Sequence, residues 1–123
     1  MKKLLFIIAI LTITACKFSQ EKILTLADFI TIDAIEKAEI SNNYGTFLLN
    51  AEQLNNLKTA LKNLSYEPNQ AIKAGAKAVS ITIDNKEYWL STQTHGEMAE
   101  ITIDNETLVF KTNGLNLDNY EKN

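Results

Sequence analysis

The stretch SITIDNKEYWL (residues 80–90) is answered by EITIDNETLVF (residues 100–110), so Ile-Thr-Ile-Asp-Asn is written twice, twenty residues apart. Calcium loops, a solenoid repeat or a pair of hairpins would each leave such an echo. An EF-hand loop needs oxygen ligands at alternating positions, a mid-loop glycine and a terminal glutamate between two helices. Each copy offers a single acid ahead of its Asn, no glycine, and β-branched flanks. Two copies do not make a solenoid either, because each repeat must bury its face against further neighbours.

Hairpins satisfy both copies. With Asn85-Lys86 as a two-residue loop, Ile83 would face Tyr88 and Ile81 would face Leu90. With Asn105-Glu106 as the second loop, Ile103 would face Leu108 and Ile101 would face Phe110. The apolar residues of each copy then fall on one side of the sheet, whereas a one-residue slip would turn every side chain over. The expectation is a four-stranded antiparallel meander, with TQTHGEM (residues 92–98) joining its two hairpins.

The same register sends Thr82, Trp89, Ser91, Thr102 and Val109 to the opposite face. One helix covers one side of a sheet, so this face is expected to meet solvent. Trp89, the only tryptophan, either makes cross-strand contacts there or anchors a partner, as interface aromatics do. Trp89, Thr82 and Val109 are the candidate partner-binding residues.

Upstream, Asn50 with Gln53 three residues on forms a capping-box signature. Leu54, Leu57, Leu61 and Leu64 then recur at three- and four-residue spacing, a helix with one apolar stripe, and Pro68 lies beyond its end. Residues 30–41 are ambiguous. Ile30, Ile32, Ala34, Ala38 and Ile40 share the parity of a long strand, while Asp33 and Glu36 are spaced to open a short helix. The strand is preferred because NNYG (residues 42–45) reads as a hairpin turn into TFLL. The fold class expected is α+β: an antiparallel β-sheet on one main helix, in the order ββαββββ. A helix followed by a four-stranded meander is similar in element order to cystatin-type inhibitors and to small envelope lipoprotein domains. No motif carries that similarity, so no functional residue is transferred by it.

The chain opens MKKLLFIIAILTITAC, with two lysines, an apolar run from Leu4 to Ile13, and small residues before a cysteine. This is the layout of a secretory signal, and the run is short for a membrane span. Ile13-Thr14-Ala15-Cys16 resembles the lipobox of bacterial lipoproteins. The resemblance covers the signal segment and implies cleavage before Cys16 and acylation of that residue; alternatively, Cys16 simply ends an ordinary cleaved signal. Residues 1–15 are then the signal peptide, residues 16–22 the lipidated cysteine and a short tether, and residues 23–123 a single domain. Lys17 stands where an Asp is associated with inner-membrane retention, so the resemblance favours the outer membrane of a Gram-negative envelope.

Composition narrows the function. The formal net charge is −3, and removing Lys2 and Lys3 with the signal takes it to −5. All twelve basic residues are lysines. Without arginine and with net acidity, nucleic acid and a dedicated phosphate pocket are disfavoured. Cys16 is the only cysteine and His95 the only histidine. His95 with Glu97 supplies two metal ligands where catalytic zinc takes three, and no glycine-rich phosphate loop or nucleophile elbow is present. No catalytic residue, metal ligand or cofactor is assigned. The expectation is a membrane-anchored, non-catalytic interaction module of inhibitor, immunity or accessory type, bound to membrane lipid through Cys16 and to an envelope protein. The alternative is a small-ligand carrier with a pocket between helix and sheet, lined by Tyr66 and Tyr120.

Overall fold

A computed structural model describes residues 23–93 and 97–121. The signal peptide, Cys16, the tether and His95 lie outside the described residues. Along the chain come β1 (Lys37–Asn42), β2 (Gly45–Leu48), α1 (Ala51–Lys62), β3 (Ser65–Tyr66), β4 (Ala78–Ile83), β5 (Lys86–Thr92), β6 (Met98–Ile103) and β7 (Glu106–Lys111). The strands form one sheet in the order β2-β1-β4-β5-β6-β7-β3, antiparallel at every pairing. This is an α+β fold with the sheet packed on the helix, as expected, and with one short strand, β3, added to the expected order. Among the described residues no helix is long and apolar enough to cross a membrane.

The echo is two hairpins, with loops one residue earlier than expected. Asp84-Asn85 and Asp104-Asn105 occupy the turns, at φ of 50°, 64°, 51° and 67°. A two-residue loop with positive φ at both positions matches the twist of the strands it joins, and Asp and Asn tolerate that backbone better than Lys or Glu. Ile83 therefore pairs with Lys86 and Ile81 with Tyr88, and Ile103 pairs with Glu106 and Ile101 with Leu108. Each ladder has slid by two residues, an even number, so the faces read from the sequence are unchanged.

The expected first strand is half right. Residues 30–36 contain a 3-10 turn, Ile32–Ala34, and extended pairing begins at Lys37. Ile30, Ile32 and Ile35 are nonetheless buried, as members of the core shared by helix and sheet, and the turn itself lies beside α1. Lys62 Nζ holds the Asp33 carboxylate at 2.7 Å across that contact.

Helix α1 starts at the capping box read from the sequence. The Gln53 amide donates to Asn50 Oδ1 at 2.8 Å, and the Asn50 amide donates to Gln53 Oε1 at 3.0 Å. Leu57 and Leu61, with Leu64 just past the helix, are completely buried, as are Ile40, Val79, Ile81, Leu90 and Phe110 from the sheet. Phe29 meets Tyr66 and Phe110 edge-to-face, and Tyr66 tilts against Phe110, with centroids 5.1–5.7 Å apart. The segment after β7 closes the layer: Leu115, Leu117 and Tyr120 are buried, and Asn42 Nδ2 donates to the Leu117 and Tyr120 carbonyls at 2.6 and 2.8 Å.

Candidate functional site

On the sheet face away from α1, alternation along each strand decides what is displayed. The register aligns Leu48 of β2, Glu39 of β1, Ser80 of β4 and Trp89 of β5 in one row across four strands. Beside it, Lys37, Thr82 and Glu87 form a second row. Together these seven residues line a shallow groove of about 100 Å³. Leu48 is 59% exposed and Trp89 48%, whereas Ser80, between Glu39 and Trp89, is buried. Trp89 Nε1 donates to Glu87 Oε1 at 2.6 Å, which orients the indole along the strand. Trp89 and Leu48 are the apolar members of this groove, and its other walls, Lys37, Glu39, Ser80, Thr82 and Glu87, are polar or charged.

Of the three residues singled out from the sequence, Trp89 and Thr82 share this groove and Val109 does not. Val109 is buried, at 4% exposure, although it points to the outer side. The route of the chain explains this. From β3 at one edge, residues 67–77 must pass β7, β6 and β5 to enter β4. The Glu67 amide donates to the Val109 carbonyl at 2.8 Å, Lys111 pairs with the Glu67 carboxylate at 3.5 Å, and the Gly75 amide donates to the Thr92 carbonyl at 2.7 Å. The expectation of a wholly open outer face is therefore corrected: the connection covers the Val109 end and leaves the Trp89 end clear. Leu48 and Glu39 were not among the candidates. The signal for Leu48 was present, since in Phe47-Leu48-Leu49 the outer two face the core and the middle one must point outward.

A larger, polar cleft of about 530 Å³ lies at one end of the sheet, with Lys77, Thr92, Glu97, Thr112, Asn116 and Asp118 among its walls. Asp118 organises it, bonding Lys77 on one side and the Asn43 amide (3.1 Å) and Asn43 Nδ2 (3.0 Å) on the other. The Lys77 ammonium above all, with the Asn43 amide, holds the Asp118 carboxyl below its ordinary range. At the hairpin tips Lys86 joins Asp104 at 3.0 Å, which raises the lysine's pKa. Tyr66 and Tyr120 belong to the core and line neither cleft. Among the described residues no three His, Cys, Asp or Glu side chains gather in a metal-binding arrangement.

Comparison with protein-family models, with curated proteins and with solved structures yields no match.

Proposed function

We propose that this protein is a non-catalytic interaction module, anchored in the cell envelope by an acylated Cys16, that recognises a protein partner through the Trp89–Leu48 groove. The observation that carries recognition is the half-exposed indole held by Glu87 beside the exposed Leu48. Aromatic side chains that are already oriented lose little entropy on binding, which is why they dominate interface energetics. Glu39 and Glu87 outnumber Lys37 around the groove, so a partner offering a basic or neutral side chain is favoured. The lipobox-like Ile13-Thr14-Ala15-Cys16 supports the anchor, and Lys17 supports the outer membrane as its site in a Gram-negative cell. Inhibitor, immunity and accessory roles all fall within this reading. The carrier alternative draws on the polar cleft at the sheet end, since the space between helix and sheet is filled by Leu57, Leu61, Ile81 and Leu90.

The test is affinity capture from solubilised envelope with the anchored protein as bait, run in parallel for wild type and Trp89→Ala. Loss of an interface aromatic should weaken the complex by about 2 kcal/mol or more, while the thermal midpoint moves little. A partner held equally by both baits would refute the groove. A Cys16→Ser variant that still fractionates with membranes after signal removal would refute the anchor.

A further inference from the structure

The two edges of the sheet are treated differently. At β3 the edge is closed by the chain itself: the Tyr66 amide donates to the Leu24 carbonyl at 2.8 Å and the Leu26 amide to the Leu64 carbonyl at 3.1 Å. At β2 no described segment follows. The Leu49 amide donates to the Ala38 carbonyl at 2.9 Å, which fixes the alternation of this antiparallel ladder. Leu49, Phe47 and Gly45 bond to β1, and the main-chain groups of Thr46 and Leu48 point away from it. Sheet edges are ordinarily guarded by charge, proline or a bulge. Residues 45–49, Gly-Thr-Phe-Leu-Leu, carry no charge and no proline.

We infer that β2 pairs with β2 of a second copy of this chain, antiparallel about a two-fold axis at Phe47. In that register Thr46 of each copy lies opposite Leu48 of the other, and the two residues exchange both main-chain hydrogen bonds. The unpaired groups of β2 are thereby matched, and the arrangement closes on itself, as an isologous contact does. The outer-face row of Trp89, Ser80, Glu39 and Leu48 then continues into Thr46 and Ser41 of the second copy. Charge permits the approach. The two Glu39 positions lie three strand spacings apart and two residues out of line, about 16 Å, beyond the screening length of about 8 Å at physiological salt. One short strand pairing is a small contact beside a standard interface of about 1,600 Å², so a weak, concentration-dependent dimer is expected. This inference goes beyond the heterologous partner proposed above and shares Leu48 with its groove, while its readout, the self-association of the purified chain, needs no other protein.

The test is sedimentation of the full chain in one detergent at rising protein concentration, for wild type and for two double variants. Wild type should shift from monomer to dimer below about 1 mM. Thr46→Lys with Leu48→Lys sets lysine against lysine across the axis and should stay monomeric, as should Thr46→Glu with Leu48→Glu. Mixing the two variants sets each lysine against a glutamate and should restore a dimer, with the Thr46 and Leu48 positions protected from hydrogen exchange. Wild type that stays monomeric throughout, a lysine variant that still dimerises, or mixed variants that remain apart would each overturn the pairing.

Discussion

Replacing Asn85 and Asn105 by alanine tests how the repeated Ile-Thr-Ile-Asp-Asn works. Both are the second residue of a two-residue loop, at φ of 64° and 67°. Left-handed backbone costs an ordinary L-residue about 1–2 kcal/mol, and Asn less, because its short polar side chain bonds locally. Each Asn→Ala change should therefore cost about 1 kcal/mol. Glycine removes the steric cost but enlarges the unfolded ensemble, a penalty of about 0.5–1 kcal/mol. Asn→Gly should thus leave stability within about 0.5 kcal/mol of wild type. The Lys86–Asp104 pair bridging the hairpin tips is untouched by either change, so the two loops should add to within a few tenths. The double alanine variant should lose about 2 kcal/mol, or about 8–16 °C in Tm for a domain of this size. Urea unfolding followed through Trp89, the only tryptophan, should show a lower midpoint at unchanged slope. Equal midpoints for the double alanine and double glycine variants would refute the argument, since only a requirement for positive φ separates them.

Leu61→Ala, at a completely buried position of α1, should cost about 2–5 kcal/mol in the same assay; a loss well below one would mean the helix does not seat on the sheet. Asn42→Asp removes the donor that holds the Leu117 and Tyr120 carbonyls and should cost about 1–3 kcal/mol. Hydrogen exchange should then quicken at residues 117–120 while β5 and β6 stay protected, and uniform loss of protection would count against a local clamp. Asp118 is held below its ordinary pKa by Lys77 and Asn43, so folding favours its ionised form. Its contribution is complete above the ordinary carboxylate range and disappears as pH falls through the depressed value. Asp118→Asn should accordingly flatten the acid limb of the stability–pH curve, and an unchanged limb would remove Asp118 from that role.

The parts of this fold that sequence reveals are those where one periodicity acts alone. The capping box at Asn50 and Gln53, the leucine stripe to Leu64, and the face assignments of both hairpins each rest on local pattern, and each is found. The loop position was misread because hydrophobic alternation has period two and cannot distinguish registers that differ by two residues. Only the preference of Asp and Asn for positive φ, at Asp84 and Asp104 as well as the Asn that follows, breaks that tie. Residues 30–36 defeated the pattern because a 3-10 turn at Ile32–Ala34 interrupts them, so the spacing of Ile30, Ile32 and Ile35 obeys neither period. Val109 was misjudged because residues 67–77, which return past its end of the sheet, adjoin it through the fold and not through the hairpin pattern. Leu48 gained its importance from neighbours on β1 and β5, a proximity that strand order creates and composition does not record.

The clamp between Asn42 and the segment after β7 spans 75 and 78 residues of sequence, and β1 itself waits for β4 to complete its second ladder. Closing loops of that length is slow, and its entropy is spent before any of these contacts forms. While the chain is emerging, β1 and β2 have only each other, and a lone two-stranded hairpin is marginal in water. The β1-β2 edge is therefore expected to consolidate after the locally paired hairpins β4-β5 and β6-β7. Such late closure of β1 and its clamp would suit the exported, envelope-anchored role proposed above, since the native contacts of this sheet edge come only after β4 and the segment beyond β7 are available.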